Sequence, residues 1–111
     1  MFLIKKEVHR GIVFITLIGK LNKYAVECLS EEINYLLYDH GLNSFVFDFY
    51  NIDEYEQNVM LKLQNKLVEI FLSCGRIVFC GLKEQVRKNI GKYQELFFVS
   101  NEIDAFRYFD I

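Results

Sequence analysis

The chain is 111 residues long, 52% hydrophobic and 25% charged, with a formal net charge of −2. This is one domain with room for a sizeable core, and without a basic excess it is not expected to bind nucleic acid. Its apolar runs, such as Gly11 to Gly19, are strand-sized and too short to span a bilayer, and Met1 to Lys6 offer no signal-peptide core, so no membrane partner and a cytoplasmic location are expected.

In chain order, Phe2 to Val8 reads as a strand with a turn at His9-Arg10-Gly11, and Ile12 to Ile18 as a second. The second run is almost wholly apolar and β-branched, which suits a strand covered on both faces. The short turn between the two predicts an antiparallel hairpin. Gly19 is expected to break the strand. From about Tyr24 to Asp39 the period becomes helical, with Ala25, Val26, Leu29, Ile33, Leu36 and Leu37 on one face. Asn22 is placed to cap this helix and Gly41 to end it.

Phe45 to Phe49 is the third strand, and a helix from near Glu56 to about Ser73 follows, stopped by Gly75. Ile77 to Cys80 is the fourth strand, Lys83 to Ile90 a short helix, Leu96 to Val99 a fifth strand, and Glu102 to Phe109 a last helix capped by Asn101. Strands alternating with helices after an initial hairpin imply an α/β fold over residues 1–111. It has a mixed sheet of about five strands and about four helices.

Cys28, Cys74 and Cys80 form no disulfide framework, and with His9 and His40 isolated no metal site is indicated. The cysteines read as reduced and mostly buried. Phe14, Phe45, Phe47, Phe49, Phe71, Phe79, Phe97 and Phe98 read as core. Tyr24, Tyr35, Tyr38, Tyr50, Tyr55 and Tyr93 read as partly exposed, with wet hydroxyls. The terminal run Phe106 to Ile111 is apolar enough to dock back on the domain.

This order, with Gly19-Lys20-Leu21 closing a strand, the strand Phe45-Val46-Phe47-Asp48-Phe49, the loop into Glu56-Gln57-Asn58-Val59, the strand Ile77 to Cys80 and the terminal Asn101-Glu102-x-x-Ala105, resembles the STAS domain of bacterial anti-sigma factor antagonists. The resemblance implies that the loop and second helix form a face offered to an anti-sigma factor or kinase-like regulatory protein. It also implies a phosphorylated serine at the start of that helix. Here the sequence departs from the pattern, because Asn58 stands at that place and no Ser or Thr lies between Ser44 and Ser73. An amide has no hydroxyl to accept a phosphoryl group, so that switch is missing. Asp53, Glu54 and Glu56 stand just ahead of the helix. They could imitate a permanently phosphorylated site, or simply answer the general preference for acids at a helix N-terminus.

The second helix carries two apolar stripes. Met60, Leu63, Leu67, Ile70 and Phe71 should pack on the sheet. Leu61, Val68 and Leu72, with Asn65 among them, fall nearly opposite at about 100° per residue. Lys62, Lys66 and Glu69 keep to one flank. The second stripe could meet a partner protein, an identical subunit or the neighbouring first helix.

No catalytic set or phosphate loop is evident, and no cofactor is called for. Asp48, in an apolar strand, reads as an acid hydrogen-bonded to backbone amides rather than a catalytic one. The expectation is therefore a non-catalytic interaction domain that meets a regulatory protein through Asp53, Glu54, Glu56, Asn58, Leu61, Asn65, Val68 and Leu72. A small-ligand (nucleotide or lipid) carrier of the same fold and a homodimeric module are the alternatives.

Overall fold

Two strands, β1 (Phe2–His9) and β2 (Ile12–Leu21), pair antiparallel across the two-residue turn Arg10-Gly11. Both turn residues have positive φ, 51° and 79°, as a type I′ hairpin turn requires, and glycine takes the second place without strain. The computed structural model describes residues 2–72, 75–81 and 97–99, with the side chains at 57, 60, 61, 64, 71 and 97–99 outside the description.

After β2 the chain turns into α1 (Lys23–Asn34). Its first turn is fastened by Asn22, whose Oδ1 accepts the Ala25 N–H at 2.9 Å. Ala25, Val26, Leu29 and Ile33 form the buried stripe. The helix does not stay regular to Asp39: residues Tyr35–Asp39 form a π-helical turn in which the adjacent Leu36 and Leu37 are both buried. Widening the helix by one residue lets neighbouring positions share the core face. Gly41, at φ 65°, then reverses the chain, and the Leu42 N–H reaches back to the Leu36 carbonyl at 2.9 Å.

Strand β3 (Ser44–Tyr55), a 3-10 turn (Gln57–Val59), α2 (Met60–Leu72), β4 (Arg76–Cys80) and β5 (Phe97–Val99) complete the described elements. The order across the sheet is β1-β2-β3-β4-β5, antiparallel in the first pair and parallel in the rest. The sheet is thus mixed with an N-terminal hairpin, as expected. The helices expected at 83–90 and 102–109, the last six residues, Cys74 and Tyr93 lie outside the described residues.

Both described helices pack on one sheet face. Val13, Ile15, Leu17, Phe45, Phe47, Phe49, Ile77 and Phe79 from the strands meet Leu29, Ile33, Leu63, Leu67 and Ile70 from the helices there. Phe47 and Phe79 stack with their ring centroids 5.7 Å apart. The alternate residues Ile12, Phe14, Val46, Val78 and Cys80 form a second buried cluster on the opposite face. The central strands are therefore apolar on both sides, which is why Ile12 to Ile18 shows no alternation.

One expectation is corrected here. Gly19 does not break β2. The strand continues to Leu21 through a φ of 111° at Gly19 and a register shift just after it. Gly75 follows α2 closely, and only glycine fits there: a Cβ would stand 2.5 Å from the Asn43 carbonyl oxygen and 2.7 Å from that of Ile70. Its own N–H donates to Ile70 at 3.0 Å.

Candidate functional site

The approach to α2 is built by β3, which runs six residues beyond its expected end at Phe49. Core-facing residues then recur every third position: Phe49, Ile52 and the partly buried Tyr55. The cause is visible in the pairing. Thr16 faces Asp48 but Ile18 faces Asn51, and Gly19 faces Ile52 but Lys20 faces Glu54. Twice, β3 carries one residue more than β2. Each extra residue is a bulge that resets which side chains point inwards. At the first bulge the Tyr50 N–H is taken up by Asp48 Oδ1 at 2.9 Å, so Asp48 serves the backbone as expected.

This longer strand divides the acidic cluster. Asp53 and Glu54 belong to β3 and are exposed, and Glu54 pairs with Lys20 across the strands at 3.3 Å. They do not stand at the mouth of the helix, so a helix-dipole preference does not account for them. Glu56 alone remains at the entrance. Its N–H donates to the Leu21 carbonyl at 3.0 Å, and its own carbonyl accepts the Val59 N–H at 3.3 Å, opening the 3-10 turn. Asn58 lies exposed within that turn.

In α2 the inner stripe behaves as read: Leu63, Leu67 and Ile70 are buried. The polar flank meets α1 and its π-helical extension. Lys66 Nζ donates to Asn34 Oδ1 at 2.9 Å and pairs with Glu69 at 3.1 Å, and the Tyr38 hydroxyl donates to Glu69 at 3.3 Å. Partial desolvation, with the charge and hydrogen bond of Glu69, raises the Tyr38 pKa above 10. An open groove of about 570 Å³ runs along this seam, lined by Glu31, Tyr35, Tyr38, Asp39, Lys66 and Glu69.

The outer side of α2 differs. Asn65 is exposed, Val68 is half-buried and Leu72 is 80% exposed. These three positions lie within about 60° of one another around the helix axis, and Val68 and Leu72 stand about 130° and about 170° from the buried stripe. The residues bet on from sequence thus divide. Asn65, Val68 and Leu72 share one outward face of α2, with Asn58 in the turn before it. Asp53 and Glu54 sit apart on β3, and the side chain of Leu61 is outside the description.

Sequence reasoning missed the α1–α2 seam. Lys66 and Glu69 were visible as a polar flank, but nothing in α1 named Asn34 and Tyr38 as their partners. Tyr55 is a further correction. Its hydroxyl is not wet: it is buried, has no hydrogen-bond partner among the described residues, and burial pushes its pKa up to about 12. The described residues hold no group of three or more His, Cys, Asp or Glu placed to bind a metal ion. None of their helices is long and apolar enough to cross a membrane.

A hairpin leading into parallel crossovers, with two helices on one face and a loop feeding the second, is the SpoIIAA-like STAS fold found in anti-sigma factor antagonists. The chain is similar over its whole length to unphosphorylated SpoIIAA, covering 100% of both chains with a TM-score of 0.72 and 19% identity. To the Bacillus cell fate determinant SpoIIAA in its phosphorylated form it shows 21% identity and a TM-score of 0.71, over 97% of this chain and 99% of that one. To an anti-sigma factor antagonist from Mycobacterium paratuberculosis it shows 14% identity and a TM-score of 0.79, over 100% of this chain and 96% of that one. By sequence, no family model and no curated protein matches.

Proposed function

We propose that this domain is a non-catalytic regulatory adaptor. It binds a protein of the anti-sigma factor or kinase-like class through the 3-10 turn and the outer face of α2, and it is not controlled by phosphorylation at the usual place. The observation carrying this reading is the division of labour around α2. The polar flank is used on the domain's own first helix, which leaves the half-buried Val68 and the 80% exposed Leu72 on the opposite side of α2. Apolar side chains grouped on an exposed helix face, bordered by amides such as Asn58 and Asn65, have the make-up of a protein-binding patch. The fold adds weight, since proteins that share it are named as anti-sigma factor antagonists, one of them in a phosphorylated form. In this chain the stretch between Ser44 and Ser73 offers no hydroxyl of serine or threonine to phosphorylate. Glu56, at the entrance to the helix, would supply a negative charge beside the patch, whereas Glu54 is paired with Lys20 on β3.

The test is affinity capture with the whole chain as bait, quantified by mass spectrometry, comparing the native sequence with Leu61→Asp plus Val68→Asp. Loss of one specific protein from the variant, at unchanged circular dichroism, is the expected result. Capture of the same proteins at the same yield refutes the reading.

A further inference from the structure

β1 forms one edge of the described sheet. Among the described residues no strand pairs with its outer side, and Lys5 to His9 are all exposed, with Leu3 at 47% and Val8 at 48%. A sheet edge of this length presents a row of unpaired backbone groups. Which groups point outwards follows from the hairpin. His9 and Ile12 flank the two-residue turn and are a hydrogen-bonded pair, so Glu7, Lys5 and Leu3, counted back by twos, also direct their backbone at β2. Val8, Lys6 and Ile4 direct theirs to the open edge.

An antiparallel copy has to match outward residues with outward residues. Centred on Lys6, that register sets Ile4 against Val8 twice as hydrogen-bonded pairs. Between them Lys5 faces Glu7 twice, in the closer non-hydrogen-bonded arrangement where opposite charges stabilise most directly. Neighbouring registers centred on Lys5 or on Glu7 bring like charges face to face. The centred register has one like-charge meeting, Lys6 with its copy, and the structure draws that lysine aside. Its Nζ is paired with Glu32 and lies 5.1 Å over the ring of Tyr35.

We infer that the chain forms a two-fold symmetric dimer through antiparallel pairing of its β1 edges in the register centred on Lys6, the second copy being the occupant that the alternating charges of Lys5 and Glu7 fit. The paired surface is small, so the dimer dissociates on dilution. This inference is independent of the α2 face.

Sedimentation velocity over a wide concentration series at low salt is the measurement. The native chain should move from the mass of one copy to that of two. Lys5→Glu alone and Glu7→Lys alone should each weaken association by about tenfold or more, because each turns both attractive contacts repulsive. An equimolar mixture of the two single variants should recover it, since both contacts between positions 5 and 7 of the unlike chains are again between opposite charges. A chain that stays monomeric throughout, a dimer indifferent to the single charge reversals, or a mixture that fails to associate would each overturn the inference.

Discussion

Along α2, Lys66 and Glu69 turn towards the first helix and are tied into hydrogen bonds there, whereas on the far side Leu72 is 80% exposed and Val68 half-buried. In a helix that had only to cover its own sheet, the two flanks would be arranged the other way round. The apolar one would pack against the neighbouring helix and the polar one would face water. The inversion separates what holds the domain together from what it presents, and it makes the two flanks respond differently to substitution.

The widest contrast is between the inner and outer leucines. Leu67→Ala, which empties a fully buried site in the main core, should cost about 2–5 kcal/mol in denaturant unfolding. Leu72→Ala should change stability by no more than about 0.5 kcal/mol. Comparable losses at both positions would mean that the outer face is structural. Next in size is the glycine that follows α2. Gly75→Ala forces a Cβ against two backbone carbonyls and should cost about 1–3 kcal/mol. The seam itself should be worth less. Removing Lys66 and Asn34 singly and together in a double-mutant cycle should give a coupling of about 0.5–1.5 kcal/mol, against none between Asn34 and Val68.

The smallest effect lies at Tyr55, below the entrance to the helix. Its phenol has a folded-state pKa raised to about 12, above the ordinary 10, so the neutral form is favoured in the folded state. Stability from this group is fully present below about pH 10 and is lost as the pH rises towards about 12. Tyr55→Phe removes a buried hydroxyl that has no partner among the described residues. It should leave neutral-pH stability equal or slightly higher, and the variant should lose less stability than the native chain in urea melts between those pH values.

How much of this was legible in the sequence depends on whether a simple period survives. The hairpin, the Asn22 cap and the first half of β3 follow from local rules, and the structure keeps them. The second half of β3 was illegible because two bulges turn a spacing of two into a spacing of three, as at Phe49, Ile52 and Tyr55, which no longer reads as a strand. Ending the strand early made Asp53 and Glu54 look like helix-entry acids. Likewise Leu36 and Leu37 fitted a helical stripe, but the π-helical turn that seats both of them leaves no mark in the spacing. The double stripe of α2 was plain. Which side the first helix would take was not, since that depends on how two helices cross on a sheet and on two side chains, Asn34 and Tyr38, far away in the chain.

The central claim is that the far flank of α2 faces another protein. Photo-crosslinking in intact cells, with a photoreactive residue placed at position 72 and, separately, at the exposed position 27 of α1, tests it most directly. The account predicts one discrete adduct with a second protein from position 72 and none from position 27. Adducts confined to the chain itself, or the same faint pattern from both positions, would contradict it.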